Sequence, residues 1–296
     1  MAVLRRCNNI QKIQPPPHST PKVNMPAFAL HVDSCKKLFE HFKLRKESKN
    51  FALVAVGSVI PDLQEFGILK SVHGKAEAFL QYLLKVDPKY APLAIGMIMH
   101  EELDRVIDTE FVNPHMPAAR ELLEQYEFST EKVALAAHYL IDHTVNCSLI
   151  EQEPSILKIT EKIKKKLSHR HAHKIAYHLA TFFNADTKEV LKALHTFRKF
   201  DLSQYLSVES SAALYEKFIF LQQELKANQH INLLGKVKLG LSYGKFLLGH
   251  RTHQAKELLN KSKEKFASHG KAYLSARKEM IKRLAKISTT YALTLK

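Results

Sequence analysis

Tryptophan is missing altogether, and cysteine nearly so, with Cys7, Cys35 and Cys147 in 296 residues. Three cysteines do not make a disulfide framework, so the chain reads as one for a reducing, cytoplasmic compartment. Glycine is scarce too, at nine. Alternating Val, Ile and Thr stretches are few, and runs of Ala, Leu, Lys and Glu stand in their place, which predicts helices rather than strands. No uncharged apolar run of about 18 residues occurs, so no membrane-spanning helix is expected. The opening, "MAVLRRCNNIQKIQPPPHSTPK", is basic but lacks the apolar segment of a secretory signal.

What is present is an ordinary globular composition, 45% hydrophobic and 25% charged, with an uneven charge. Residues 1–150 are neutral, whereas residues 151–296 hold 28 Lys and Arg against 12 Asp and Glu and so carry the whole net charge of +16. This asymmetry points to one region that performs chemistry and another that meets something anionic. The expected division is a flexible basic leader over 1–24, a helical core over 25–150, and a basic helical region over 151–296 packed on that core. The fold class expected is all-α.

Helices are expected at about 30–43, at 48–58 with Ser48 as N-cap, at 73–85, and from the turn after "DPKY" to about 109, ending before "NPHMP". Ser129 or Thr130 caps another through "EKVALAAHYLIDHTVN". Amphipathic segments follow in "PSILKITEKIKKKL", "HKIAYHLATFF", "TKEVLKALHTF" and "SAALYEKFIFLQQEL", with one last long helix over 254–290.

Two helices carry the same device. In "GMIMHEELDRVID", His100 and Asp104 lie one turn apart on one face, and Asp108 follows on the next turn; in "VALAAHYLIDHTVN", His138 and Asp142 repeat the pair. Given 17 His among 296 residues, chance supplies roughly half of one such His-x3-Asp pair. Groups of this kind on apolar helices are either satisfied pairs, each His bonded to its own Asp, or metal ligands, because isolated buried charges are too costly.

Read in order, "ALHVDSCKKL" with His31, "GSVIPDL" with Asp62, "SVHGKAEAFLQYL" with His73, the His100/Asp104/Asp108 helix and the His138/Asp142 helix resemble the zinc-dependent phospholipase C family, whose wider superfamily includes the S1/P1 nucleases. The resemblance spans roughly residues 26–146. It implies a helical bundle holding two or three zinc ions. Asp62, His73, His100 and Asp104 fall at the central site, with Asp104 bridging two metals; His138 and Asp142 fall at a second site, with Asp108 where many members have a His; His31 matches a ligand of the third. It further implies that Asp62 is both ligand and general base. Two departures are visible. Extracellular members complete the third site with the amino group of an N-terminal Trp, which this chain lacks, and the Asp-rich second site also admits Mn²⁺, Fe²⁺ or Mg²⁺.

The function implied is hydrolysis of phospholipid headgroup phosphodiesters. A nuclease or 3′-nucleotidase on the same scaffold is the alternative, the basic second half suiting nucleic acid as well as an anionic membrane surface. A non-catalytic, metal-stabilised basic adaptor is a third reading. Beyond these motifs, His115 in "NPHMP" is expected on a surface loop, His143 in an outer-shell or surface position, Cys35 buried and inert, and the histidines of "LSHRHAHKIAYH" on a basic solvated surface. The glycines of "LLGKVKLGLSYGKFLLG" do not form a phosphate loop. The final segment, with Lys278, Lys282, Arg283 and Lys286, is expected to be an amphipathic helix with a solvated outer face that attracts anions.

Overall fold

A computed structural model describes residues 28–45, 48–64, 68–126, 133–199, 202–213, 251–266 and 270–287. Among them the chain is helical, without strands. The principal helices are α1 (Phe28–His41), α2 (Lys49–Gly57), α3 (Ala76–Val86), α4 (Ala91–Ile107), α5 (Asn113–Gln125), α6 (Val133–Gln152), α7 (Ser155–Lys166), α8 (His169–Phe183), α9 (Thr187–Lys199), α10 (Arg251–Phe266) and α11 (Gly270–Ile287). The 1–24 leader, the Ser129/Thr130 cap, most of "SAALYEKFIFLQQEL" and the glycine-bearing 233–249 stretch lie outside the described residues.

Helix α4 is the axis of the fold, packed by α2, α3 and α11, while α1 lies against α2, α6, α7 and α11. The α2/α4 crossing is close. A Cβ added at Gly57 would stand 1.9 Å from the Leu93 carbonyl oxygen, and one added at Gly96 would stand 2.0 Å from the Val54 carbonyl oxygen. Glycine on both helices lets backbone meet backbone. Ser48 caps α2 as expected, its side chain accepting from the Phe51 N–H.

Two sequence expectations give way here. The "NPHMP" stretch does not end a helix: α4 runs through a single wide turn of π type, Asp108–Val112, directly into α5. Pro114 sits at the start of α5, where a missing N–H costs least, and Pro117 lies inside it. The last basic stretch is likewise two helices, α10 and α11, with 267–269 outside the described residues.

Helix α11 docks with its apolar side inward. Tyr273 and Met280 are buried, and the Tyr273 hydroxyl donates to Asp33 of α1 at 2.9 Å. Arg277 pairs with the same carboxylate. The outward side chains include Lys278 and Lys282.

Candidate metal centre

Helix α1 is fixed at its start by α6, where the Asn146 side-chain oxygen accepts from the backbone N–H groups of Ala29 (3.1 Å) and Leu30 (3.4 Å). That cap sets the register of His31, which is buried and stacked on His100 of α4 with ring centroids 4.5 Å apart. Ser58, just beyond the end of α2, presents its carbonyl oxygen 2.8 Å from His100 Nδ1. A carbonyl only accepts, so Nδ1 carries the proton and Nε2 is left facing the carboxylates. His100 Nε2 lies 2.9 Å from Asp104 Oδ2 and 3.9 Å from Asp62 Oδ1, and His31 Nε2 lies 4.0 Å from Asp104 Oδ1.

The segment between α2 and α3 supplies two more groups. Asp62 lies in the short helical turn Pro61–Gln64, and Gln64 accepts the Val72 N–H at 2.7 Å through its side chain. Gly74, with φ at +77°, donates its N–H to Glu101 of α4 at 2.8 Å. These bonds tie the turn bearing His73 to the helix bearing His100, and the two rings stand 5.8 Å apart. Gly74 serves because its backbone is left-handed.

Beside this group lies a second one. His138 Nε2 stands 3.2 Å from Asp142 Oδ2 and 4.0 Å from Asp108 Oδ1. Asp104 and Asp108 stand one turn apart on α4 and its continuation, the first beside His100 and the second near His138, so the two groups adjoin there, and His138 and Asp142 feel the Asp104 charge. All eight residues expected from the sequence therefore fall in two adjoining groups: His31, Asp62, His73, His100 and Asp104, then Asp108, His138 and Asp142.

Charge balance in the metal-free protein follows from burial set against neighbouring groups. Burial disfavours a charged His31 and the nearby His100 adds to this, holding its pKa at about 3 despite Asp104. For His100 burial also opposes charging, but Asp104 and Asp62 outweigh it and push the pKa up to about 9. His138 follows the same pattern, with Asp142 and Asp108 outweighing burial to give about 9. Burial raises Asp142 above the usual carboxylate range, whereas His100 overcomes the burial of Asp104 and lowers it.

His31, His100 and Asp104 each offer a ligand atom, all within 4.8 Å of one another, and so could hold a metal ion. The donor chemistry fits. His31 Nδ1 and His100 Nε2 are buried without a hydrogen bond, the latter despite its nearness to Asp104. Imidazole nitrogens and a carboxylate oxygen side by side in a buried setting suit a shared cation. Access is also graded: the Asp104, Asp108 and His138 side chains are 14–18% exposed while that of His100 is sealed. The centre is least sealed at Asp104, Asp108 and His138.

The other singled-out residues resolve as follows. His115 is not on a loop; it is half-buried in α5, its Nδ1 2.6 Å from the Phe111 carbonyl oxygen and its ring against Phe266. His143 is not at the surface either. It is buried on the face of α6 turned away from Asp142, with Nε2 2.7 Å from Ser211 Oγ and its ring against Tyr205, and burial lowers its pKa to about 3. Cys35 is buried as expected, its thiol pushed up to about 12 by burial. In the His-rich tract His169 and His173 are exposed, but His178 is buried, with Nε2 3.3 Å from Asp87. Ser58, Glu101 and Asn146 position the centre without having been anticipated. Backbone carbonyls and caps from distant helices carry no spacing signal, and Gly74 lies in a turn where a helix was expected to begin at about 73.

No protein-family model, characterised protein or solved structure matches the chain.

Proposed function

We propose that the chain is a metal-dependent phosphodiesterase that hydrolyses phospholipid headgroup phosphodiesters. The observation that carries this reading is the side-by-side placement of two His/Asp groups, about Asp104 and Asp108 one turn apart. His31, His100 and Asp104, with Asp62 and His73, would hold one divalent ion of the zinc type; Asp108, His138 and Asp142 would hold another. Such ions, when bound, lower the pKa of water from about 15.7 toward about 7 and offset charge on phosphoryl oxygens.

The chain's own side chains do the rest. The carboxylates of Asp62, Asp104, Asp108 and Asp142 offset the positive charge, and the Ser58 carbonyl keeps His100 in the tautomer that ligates. Asp62, buried beside His100, takes the proton from the attacking water through its carboxylate. The basic second half supports an anionic substrate or surface, with Lys278 and Lys282 of α11 turned outward.

Elemental analysis of the purified chain, followed by hydrolysis assays on phosphatidylcholine vesicles, a small soluble phosphodiester, RNA and 3′-nucleotides, tests the reading. More than one transition-metal ion per chain with phosphorylated alcohol released from lipid is the expected result. Turnover of RNA or 3′-nucleotides without lipid makes the protein a nuclease. Bound metal with no turnover makes the centre structural.

A further inference from the structure

We infer that His169 and His173 of α8, with His195 of α9, form a second metal site on the outer surface, separate from the buried centre, for a divalent ion of copper, nickel or zinc type. His169 and His173 stand one turn apart at the start of α8, whose first turn is capped by Ser168. Both are exposed, and their Nε2 atoms lie 2.9 Å apart. The His195 ring lies against His169, with centroids 5.2 Å apart and planes 16° from parallel. Three imidazoles from two packed helices thus share one surface patch.

The spacing carries the chemistry. Imidazole nitrogens sit about 2.0–2.1 Å from such an ion, so two at right angles are about 2.9 Å apart and two at the tetrahedral angle about 3.3 Å. The observed 2.9 Å matches the right-angle edge of a tetragonal site. Tetragonal nitrogen sites suit Cu²⁺ and Ni²⁺, and Cu²⁺ stands at the top of the affinity order; a small side-chain rotation reaches the zinc geometry. One helix holds both nitrogens, so ligation by the first places the second at high effective concentration.

The neighbouring groups sharpen the choice of ion. Arg170, Lys174 and Tyr177 line an open hollow with His173; their charge opposes all divalent ions alike, but they bring no carboxylate for hard ions such as Mg²⁺ and Ca²⁺, which need oxygen ligands. Nitrogen-seeking ions remain. His195, whose ring packs beside that of His169, reaches the ion by a side-chain rotation and then ties α9 to α8, and water completes the coordination.

A His–His hydrogen bond accounts for the same 2.9 Å spacing, so metal uptake must be measured. The full chain, treated with Zn²⁺ to fill the buried centre, is titrated with Cu²⁺ and followed by electron paramagnetic resonance. The wild type is expected to give a copper spectrum with splitting from two or three imidazole nitrogens. That spectrum should be lost in His169→Ala/His173→Ala, whose fold is checked by circular dichroism, and weakened in His195→Ala. His100→Ala should keep it, so failure of the buried centre to bind metal leaves this result standing. Unchanged copper uptake and spectrum in the double variant overturn the site, and unchanged binding in His195→Ala overturns the third ligand.

Discussion

His100 is gripped from two sides, by the Ser58 carbonyl at Nδ1 and by the carboxylates of Asp104 and Asp62 near Nε2. Replacing it by Ala removes the nitrogen nearest Asp104. His100→Ala is therefore expected to lose metal and phosphodiester hydrolysis together, read by elemental analysis and turnover; retention of both would remove His100 from the centre. His143 calls for a different measurement. Its pKa falls from the ordinary 6.5 to about 3 on folding, because burial disfavours the charged ring. Between those values the unfolded chain binds a proton on this ring and the folded chain does not. Its contribution to stability is whole above about pH 6.5 and shrinks as the pH falls toward 3, by up to about 1.4 kcal/mol per pH unit. Denaturant unfolding across that range should show a shallower acid slope in His143→Gln than in the wild type. The His100/Asp104 and His138/Asp142 pairs were legible because helical spacing places them on one face. The burial of His143 was not, since its partners Ser211 and Tyr205 are more than sixty residues away.

The α2/α4 crossing is where local sequence reaches the centre. With backbone at 2.0 Å from an added Cβ, Gly96→Ala must push the helices apart. The same movement carries the Ser58 carbonyl away from His100. Overpacking of this kind costs about 1–3 kcal/mol, so thermal unfolding should occur at lower temperature and metal affinity should fall with it. Wild-type stability and affinity in Gly96→Ala would contradict the crossing. Helix α2, with its Ser48 cap, and the amphipathic α7 to α9 were readable from period and end signals. The wide turn at Asp108–Val112 was not. Two prolines in "NPHMP" signal a break, yet Pro114 falls at a helix start and the His115 ring bonds to the Phe111 carbonyl, so the chain stays helical.

Across the whole molecule, the basic half is built into the core that carries the histidines, since α10 packs on α6 and α11 on α4. Charge can then be altered on the outside of α11 without reaching the centre. Substituting Lys278, Lys282 and Arg283 by Gln is expected to weaken binding to anionic vesicles, at about 1 kcal/mol for each charge before salt screening, while leaving hydrolysis of a small soluble phosphodiester intact. Vesicle co-sedimentation at low and high salt checks this; binding that ignores both salt and substitution would rule out α11 as the anionic contact.

The Asp33 carboxylate has a consequence in time as well as space. Its partners Tyr273 and Arg277 lie 240 and 244 residues downstream, so a growing chain exposes Asp33 long before either is synthesised. Until α11 emerges from the ribosome, a carboxylate destined for the interior has nothing to neutralise it there, and sealing it unpaired is strongly unfavourable. Helix α1 therefore settles into its final place late. His31 rides on that helix two residues earlier, so the group around His100 closes only once α11 has been made.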